Sequence, residues 1–134
     1  RQKEARKKFF KKWEAYGLDG LLSPPFGFPA HKLGFGSDLA LAGLMYAAPF
    51  NMLNMPAGVL PVSVVKKGED VYPNECCKYK DSIVKKLQES MKGSVGMPVG
   101  VHVATLPWEE EKCVGIMMQV EEAVKFREKY HCPI

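Results

Sequence analysis

No stretch of eighteen apolar residues occurs in these 134 residues, so the sequence holds no candidate for a membrane-spanning helix. Nor is there a positively charged start followed by a short apolar core, the pattern of a secretory signal. The first residue is Arg1 rather than Met, as expected of a truncated or processed chain or of a cloned domain. None of the serines (Ser23, Ser37, Ser63, Ser82, Ser90, Ser94) stands in a Gly-x-Ser-x-Gly elbow or a Gly-Ser-Ser-Gly run. A self-contained hydrolase with a serine nucleophile is therefore not expected, and no catalytic residue is assigned.

Metal and phosphate chemistry are equally thin. His31, His102 and His131 are scattered, and Cys76, Cys77, Cys113 and Cys132 show neither C-x-x-C repeats nor a Cys/His zinc spacing. No metal site and no cofactor are expected. Cys76 and Cys113 fall on apolar stripes, where a free thiol acts as a small hydrophobe. A reducing compartment is the simplest reading, although four cysteines also suffice for two disulfides. The stretch Gly34-Phe35-Gly36-Ser37-Asp38 matches neither a Walker loop nor a dinucleotide fingerprint, and Asp38 would oppose a phosphate.

What is present is a moderately basic chain, net charge +4, with 46% apolar residues. The charge is concentrated: Arg1, Lys3, Arg6, Lys7, Lys8, Lys11 and Lys12 crowd the first segment against Glu4 and Glu14. Such a patch faces solvent, anionic lipid or nucleic acid, and no aromatic-plus-basic platform recurs to favour nucleic acid.

Hydrophobic spacing predicts a helix over about residues 2–16, with Ala5, Phe9, Trp13 and Tyr16 as its stripe and Gly17 as its stop. Residues 20–23 read as a short strand, and 26–36 as a loop ordered by its own apolar side chains. Ser37 is the expected cap of a helix over about 38–50 that is apolar or small nearly all round, hence buried on several sides. A strand follows from Val59 to Val65, in which Pro61 requires a strand start, an edge or a bulge. Asn74 is the expected cap of a helix reaching about Met91 with the stripe Cys76, Tyr79, Ile83, Leu87, Met91. Next come a strand at 99–103, with His102 pointing away from Val101 and Val103, and a last helix opening at Pro107. Glu109, Glu110 and Glu111 suit its start, and Cys113, Ile116, Met117, Val120, Ala123 and Val124 form its buried face. This order predicts an α/β fold, helices packed on a mixed β-sheet. Three short strands leave an open edge, so they are expected to complete a larger sheet.

Four pieces carry a resemblance: Gly20-Leu21-Leu22-Ser23-Pro24, Asn51 to Val62, Lys92 to Val99, and Ala104-Thr105-Leu106-Pro107-Trp108-Glu109-Glu110-Glu111. From about Lys11 to Val124 the chain resembles the C-terminal portion of an amidase-signature hydrolase, most like the fatty-acid amide hydrolases. The resemblance implies the larger α/β/α sandwich of those enzymes and a Ser–cis-Ser–Lys triad lying upstream, in a region this chain lacks. One serine attacks the amide carbonyl while the second serine and the lysine relay the proton to the leaving amine. The whole of 1–134 then reads as a C-terminal amidase segment, inactive alone.

By the same resemblance, Leu41, Leu44, Ala48 and Ile83 line part of the acyl-chain pocket. Their spacing does place Leu41, Leu44 and Ala48 on one helical face, as a plain core stripe also would. The implied partners are the upstream catalytic portion and a lipid amide substrate, with a homodimer, a peripheral membrane contact and no nucleic acid. The implied location is intracellular, peripheral to an internal membrane. Many members of that family carry Gln where this chain has His102. The alternative is a non-enzymatic small α/β module that binds through its basic N-terminal helix or open sheet edge.

Overall fold

The computed structural model describes residues 2–30, 36–72 and 82–130, with backbone alone for 36–42. Helix α1 (Gln2–Tyr16) ends at Gly17, whose φ of 60° supplies the left-handed turn. Its inward stripe is narrower than the spacing suggests: Trp13 is buried, Phe9 and Phe10 pack beside it, and Ala5 and Tyr16 stay exposed.

Strand β1 (Leu21–Ser23) leads into the 24–30 loop, where the rings of Phe26 and Phe28 meet edge-on at 4.6 Å. With Tyr72, Leu87 and Met91 they form a small core of their own. Residues 24–30 are thus ordered by their own phenylalanines together with side chains from outside the loop, and residues 31–35 of the expected loop lie outside the described residues.

Helix α2 (Gly36–Leu53) is longer than predicted at both ends. It is described from Gly36, so the backbone at Ser37, the expected cap, is already helical. It also continues through Pro49, which costs one hydrogen bond without ending the helix. The stop is Asn54, at φ 54°, after which the Met55 amide donates to the Phe50 carbonyl at 3.0 Å. Gly43 and Phe50 are buried, whereas Leu44, Met45, Tyr46 and Met52 are exposed. Over its described side chains the helix therefore presents one buried and one exposed side.

Strand β2 (Ala57–Val64) begins two residues before the expected start at Val59, and its register shifts between Pro61 and Ser63. Pro61 is accommodated because β2 is an edge strand carrying a bulge there, two of the settings in which a missing amide donor is harmless. Helix α3 is described over Ser82–Met91 and stops at Gly93, φ 77°. Asn74, Cys76, Cys77 and Tyr79 lie outside the described residues.

Strand β3 (Pro98–Ala104) pairs antiparallel with both others, giving the order β1-β3-β2. Helix α4 (Glu110–Val124) starts three residues later than Pro107 suggests. Trp108 sits at φ 71° and the Glu109 amide donates to Leu106 at 3.2 Å, a turn incompatible with continuing the helix backwards. A one-turn helix α5 (Phe126–Lys129) follows a left-handed Lys125.

The sheet divides the core. On one face Leu60 and Val103 pack with Cys113, joined by Val62, Val101, Ile116, Met117 and Val120. The approach is close enough that the Met117 side chain occupies the space a Cβ on Gly58 would need. Ala123, expected in this face, is exposed. On the other face Trp13, Phe50, Met55 and Ala104 cluster with Phe9, Phe10, Leu21, Leu53 and Leu106. That second core lies at the Ala104 end of the sheet, and Pro25 of the 24–30 loop approaches the same face at Gly100.

Candidate functional site

Two features stand out: the outward face of α2 and α3, and a cleft at the uncovered end of the sheet. Leu44 on α2 is 53% exposed and Ile83 in the first turn of α3 is 45% exposed, while Ala48 is half-buried. The two helices pack on one another. Leu41 lies on α2, and its side chain is outside the described residues.

The cleft, about 690 Å³, is formed by the 24–30 loop, by Val59 and Pro61 of β2, by the Pro98–Gly100 stretch of β3 and by Phe126. Leu44, Ala48 and Ile83 do not line it. Prolines and aromatics in 24–30 are its only sequence signal, and they do not specify a cavity.

The uncovered face carries one polar row. Ser23, His102 and Val59 are cross-strand partners and so project from the same face. His102 points away from Val103, as alternation requires, and meets the Phe50 ring edge-on at 4.7 Å. Burial holds its imidazole below the ordinary value near 6.5. Both His102 Nδ1 and Ser23 Oγ are buried with no hydrogen-bond partner.

No nucleophile–base pair is assembled by the described serines. Ser63 and Ser90 donate to the carbonyls of Val64 and Leu87, and Ser94 Oγ is buried without a partner. The described residues contain no group of three His, Cys, Asp or Glu able to hold a metal ion. The buried Cys113 thiol donates to the Val103 carbonyl at 3.5 Å, as a small core residue would. The start of α4 is tied to the chain before β1 by Lys112, which meets Glu109 at 2.8 Å and Asp19 at 3.8 Å. The hydrogen bond with Glu109 raises the lysine's pKa. Among the described residues no helix is long and apolar enough to cross a membrane.

Among the described residues, helices pack on both faces of a small antiparallel sheet. The sequence model of the family named Amidase matches residues 1–114. This chain belongs to the amidase family. It is 37% identical over 110 residues to fatty-acid amide hydrolase 1 of Sus scrofa, covering 81% of this chain and 19% of that protein. Against fatty acid amide hydrolase 1 of Caenorhabditis elegans the identity is 34% over 112 residues, covering 80% and 18%. A putative amidase of Schizosaccharomyces pombe is 26% identical over 118 residues, covering 87% of this chain and 21% of that protein. Among solved structures, a fatty acid amide hydrolase superposes with a TM-score of 0.72 at 16% identity, over 92% of this chain and 22% of that one. That likeness establishes the α/β amidase fold. The chain spans about a fifth of the length of the curated relatives it matches.

Proposed function

We propose that this chain is the C-terminal segment of a serine amidase hydrolysing carboxylic amides, fatty-acid amides in particular. It supplies scaffold and part of the acyl pocket. The Ser–cis-Ser–Lys triad is contributed by upstream chain: one serine adds to the amide carbonyl, the second serine and the lysine carry its proton to the leaving amine, and water then releases the acid. The observation that carries this reading is the family match over residues 1–114, in a sequence without the Gly-Ser-Ser-Gly-Gly stretch that holds such a nucleophile.

The exposure of Leu44 and Ile83 supports a pocket wall made by Leu41, Leu44, Ala48 and Ile83, because a plain core stripe would be buried by its own chain. The upstream catalytic portion and a lipid amide are the partners in this proposal. Homodimerisation and a peripheral contact with an internal membrane belong to it as well.

The test is a fluorophosphonate serine-hydrolase label applied to protein from the native source, read by intact mass. A labelled species much larger than this chain and containing its peptides is expected. A native, unlabelled protein of this chain's size, with no labelled partner, refutes the proposal. That result would favour the binding-module reading, whose support is the outward lysines of α1 and the sheet edges left open among the described residues.

A further inference from the structure

The positive charge of this chain resides in helix α1. Over Gln2–Tyr16 six cations stand against Glu4 and Glu14, a difference of four that equals the net charge of +4 of all 134 residues. The remainder is therefore neutral on balance. Trp13, buried at 3%, fixes which way the helix faces, and Phe9 and Phe10 pack on the same side. The opposite side presents Lys3, Lys7 and Lys11 at successive four-residue steps, one helical ridge, with Lys8 and Lys12 on the ridge beside it. All five lysines are exposed, and among the described residues none has an ion-pair partner. Arg6 is set apart, its guanidinium 5.8 Å from the centroid of the Phe10 ring.

The row is held at both ends. Trp13 anchors one end in the core, and at the other the Gln2 side-chain amide donates to the Met52 carbonyl at 3.1 Å. From Lys3 to Lys12 the row runs about 14 Å along the helix. Like charges at four-residue spacing repel and weaken a helix, so the row is a cost to the fold unless an anionic surface lies against it. Burial against other protein would require a partner for each lysine. The aromatic rings of α1 are turned into the core, which leaves no stacking platform for nucleic-acid bases. The outward cations are lysines, point charges without arginine's fork for gripping single phosphates. Exposed apolar side chains flank the row, Met52 at the Gln2 end and Tyr16 and Leu18 at the other, as suits a lipid interface.

We propose that α1 makes an electrostatic contact with a membrane surface carrying anionic phospholipid, its lysine row lying against the headgroups. The inference rests on the reading of this chain as part of an enzyme of lipid amides, and adds the element that meets the lipid and the headgroup charge it selects. Attraction of this kind changes partition about five-fold per lysine and fades with salt.

The experiment sediments the full parent enzyme with vesicles of phosphatidylcholine alone or of phosphatidylcholine mixed with phosphatidylserine. The variants are the triple substitution Lys3→Gln, Lys7→Gln, Lys11→Gln and the same three positions changed to arginine. The wild type is expected to prefer the anionic vesicles, and added salt to erase the preference. The glutamine triple should bind them roughly 100-fold more weakly, while the arginine triple keeps the preference. Equal partition of the wild type between the two vesicles, or a preference that survives in the glutamine triple, overturns the proposal. So does binding to polyuridylate without binding to the anionic vesicles. Should the glutamine triple misfold, acetylation footprinting of the unsubstituted parent decides. Lys3, Lys7, Lys8, Lys11 and Lys12 are expected to react several-fold more slowly on anionic than on neutral vesicles, and equal rates overturn the contact. Fluorophosphonate labelling of the same samples separates the two readings. A labelled parent indifferent to headgroup charge refutes the lipid contact alone, and a native chain that prefers anionic vesicles without any labelled parent refutes the amidase reading alone.

Discussion

At the scale of single residues, Gly43 and His102 show where contact outweighs local preference. An exposed helical glycine changed to alanine would gain about 1 kcal/mol from propensity. At Gly43, however, the Phe26 ring occupies the space of the new Cβ. Overpacking of this kind costs about 1–3 kcal/mol, so Gly43→Ala is expected to destabilise rather than stabilise, read as a lower urea midpoint. His102 makes a prediction in pH. Its folded value is lowered by burial, so the unfolded chain binds the proton more readily. Its stabilising contribution is complete above about pH 6.5 and is lost as pH falls from there through the lowered folded value. Thermal midpoints taken from about pH 7.5 down to about pH 5.5 should therefore fall more for the wild type than for His102→Gln, which cannot titrate in that range. Equal slopes would remove His102 as the cause. The direction of the His102 ring was legible in the sequence, since a strand alternates. Its missing partner was not, because that depends on what lies across the sheet at Ser23.

Among the elements, those with a single strong local signal were legible: Gly17 and Gly93 end helices where their positive φ is needed. Where two local signals competed, the sequence reading failed. Pro107 suits a helix start, but the left-handed Trp108 beside it delays α4 to Glu110. Pro49 suits a helix end, yet Phe50, buried against Trp13 and Met55, holds α2 helical for another turn. The attachment of α1 depends most on Trp13, 3% exposed at the centre of that cluster. Trp13→Ala is expected to cost about 3–5 kcal/mol in denaturant unfolding. Trp13→Phe should cost under about 1.5 kcal/mol, because the buried indole Nε1 has no partner to lose. A large loss with phenylalanine would mean that the indole shape, not its apolar area, is what α1 needs.

At the scale of the whole molecule, the α/β class followed from the order of elements, and the amidase family from the Asn51–Val62 and Lys92–Glu111 segments. An open sheet edge was legible from the count of three short strands, whereas the partly covered face was not, because it depends on how far the Trp13–Phe50 cluster reaches across the sheet. If Leu44 and Ile83 wall an acyl pocket, truncating either to alanine in the full enzyme should raise KM about 10-fold for a long-chain amide and leave a short-chain amide unchanged. Equal effects on both substrates would place these residues in scaffold only. The two tryptophans also occupy opposite extremes, Trp13 at 3% and Trp108 at 90% exposure. Their emission therefore divides into a short-wavelength component shielded from iodide and a long-wavelength component open to quenching. Because Trp108 lies on the turn leading into α4 and Trp13 lies on the buried side of α1, the ratio of the two colours is an intrinsic optical gauge of which surfaces a partner closes.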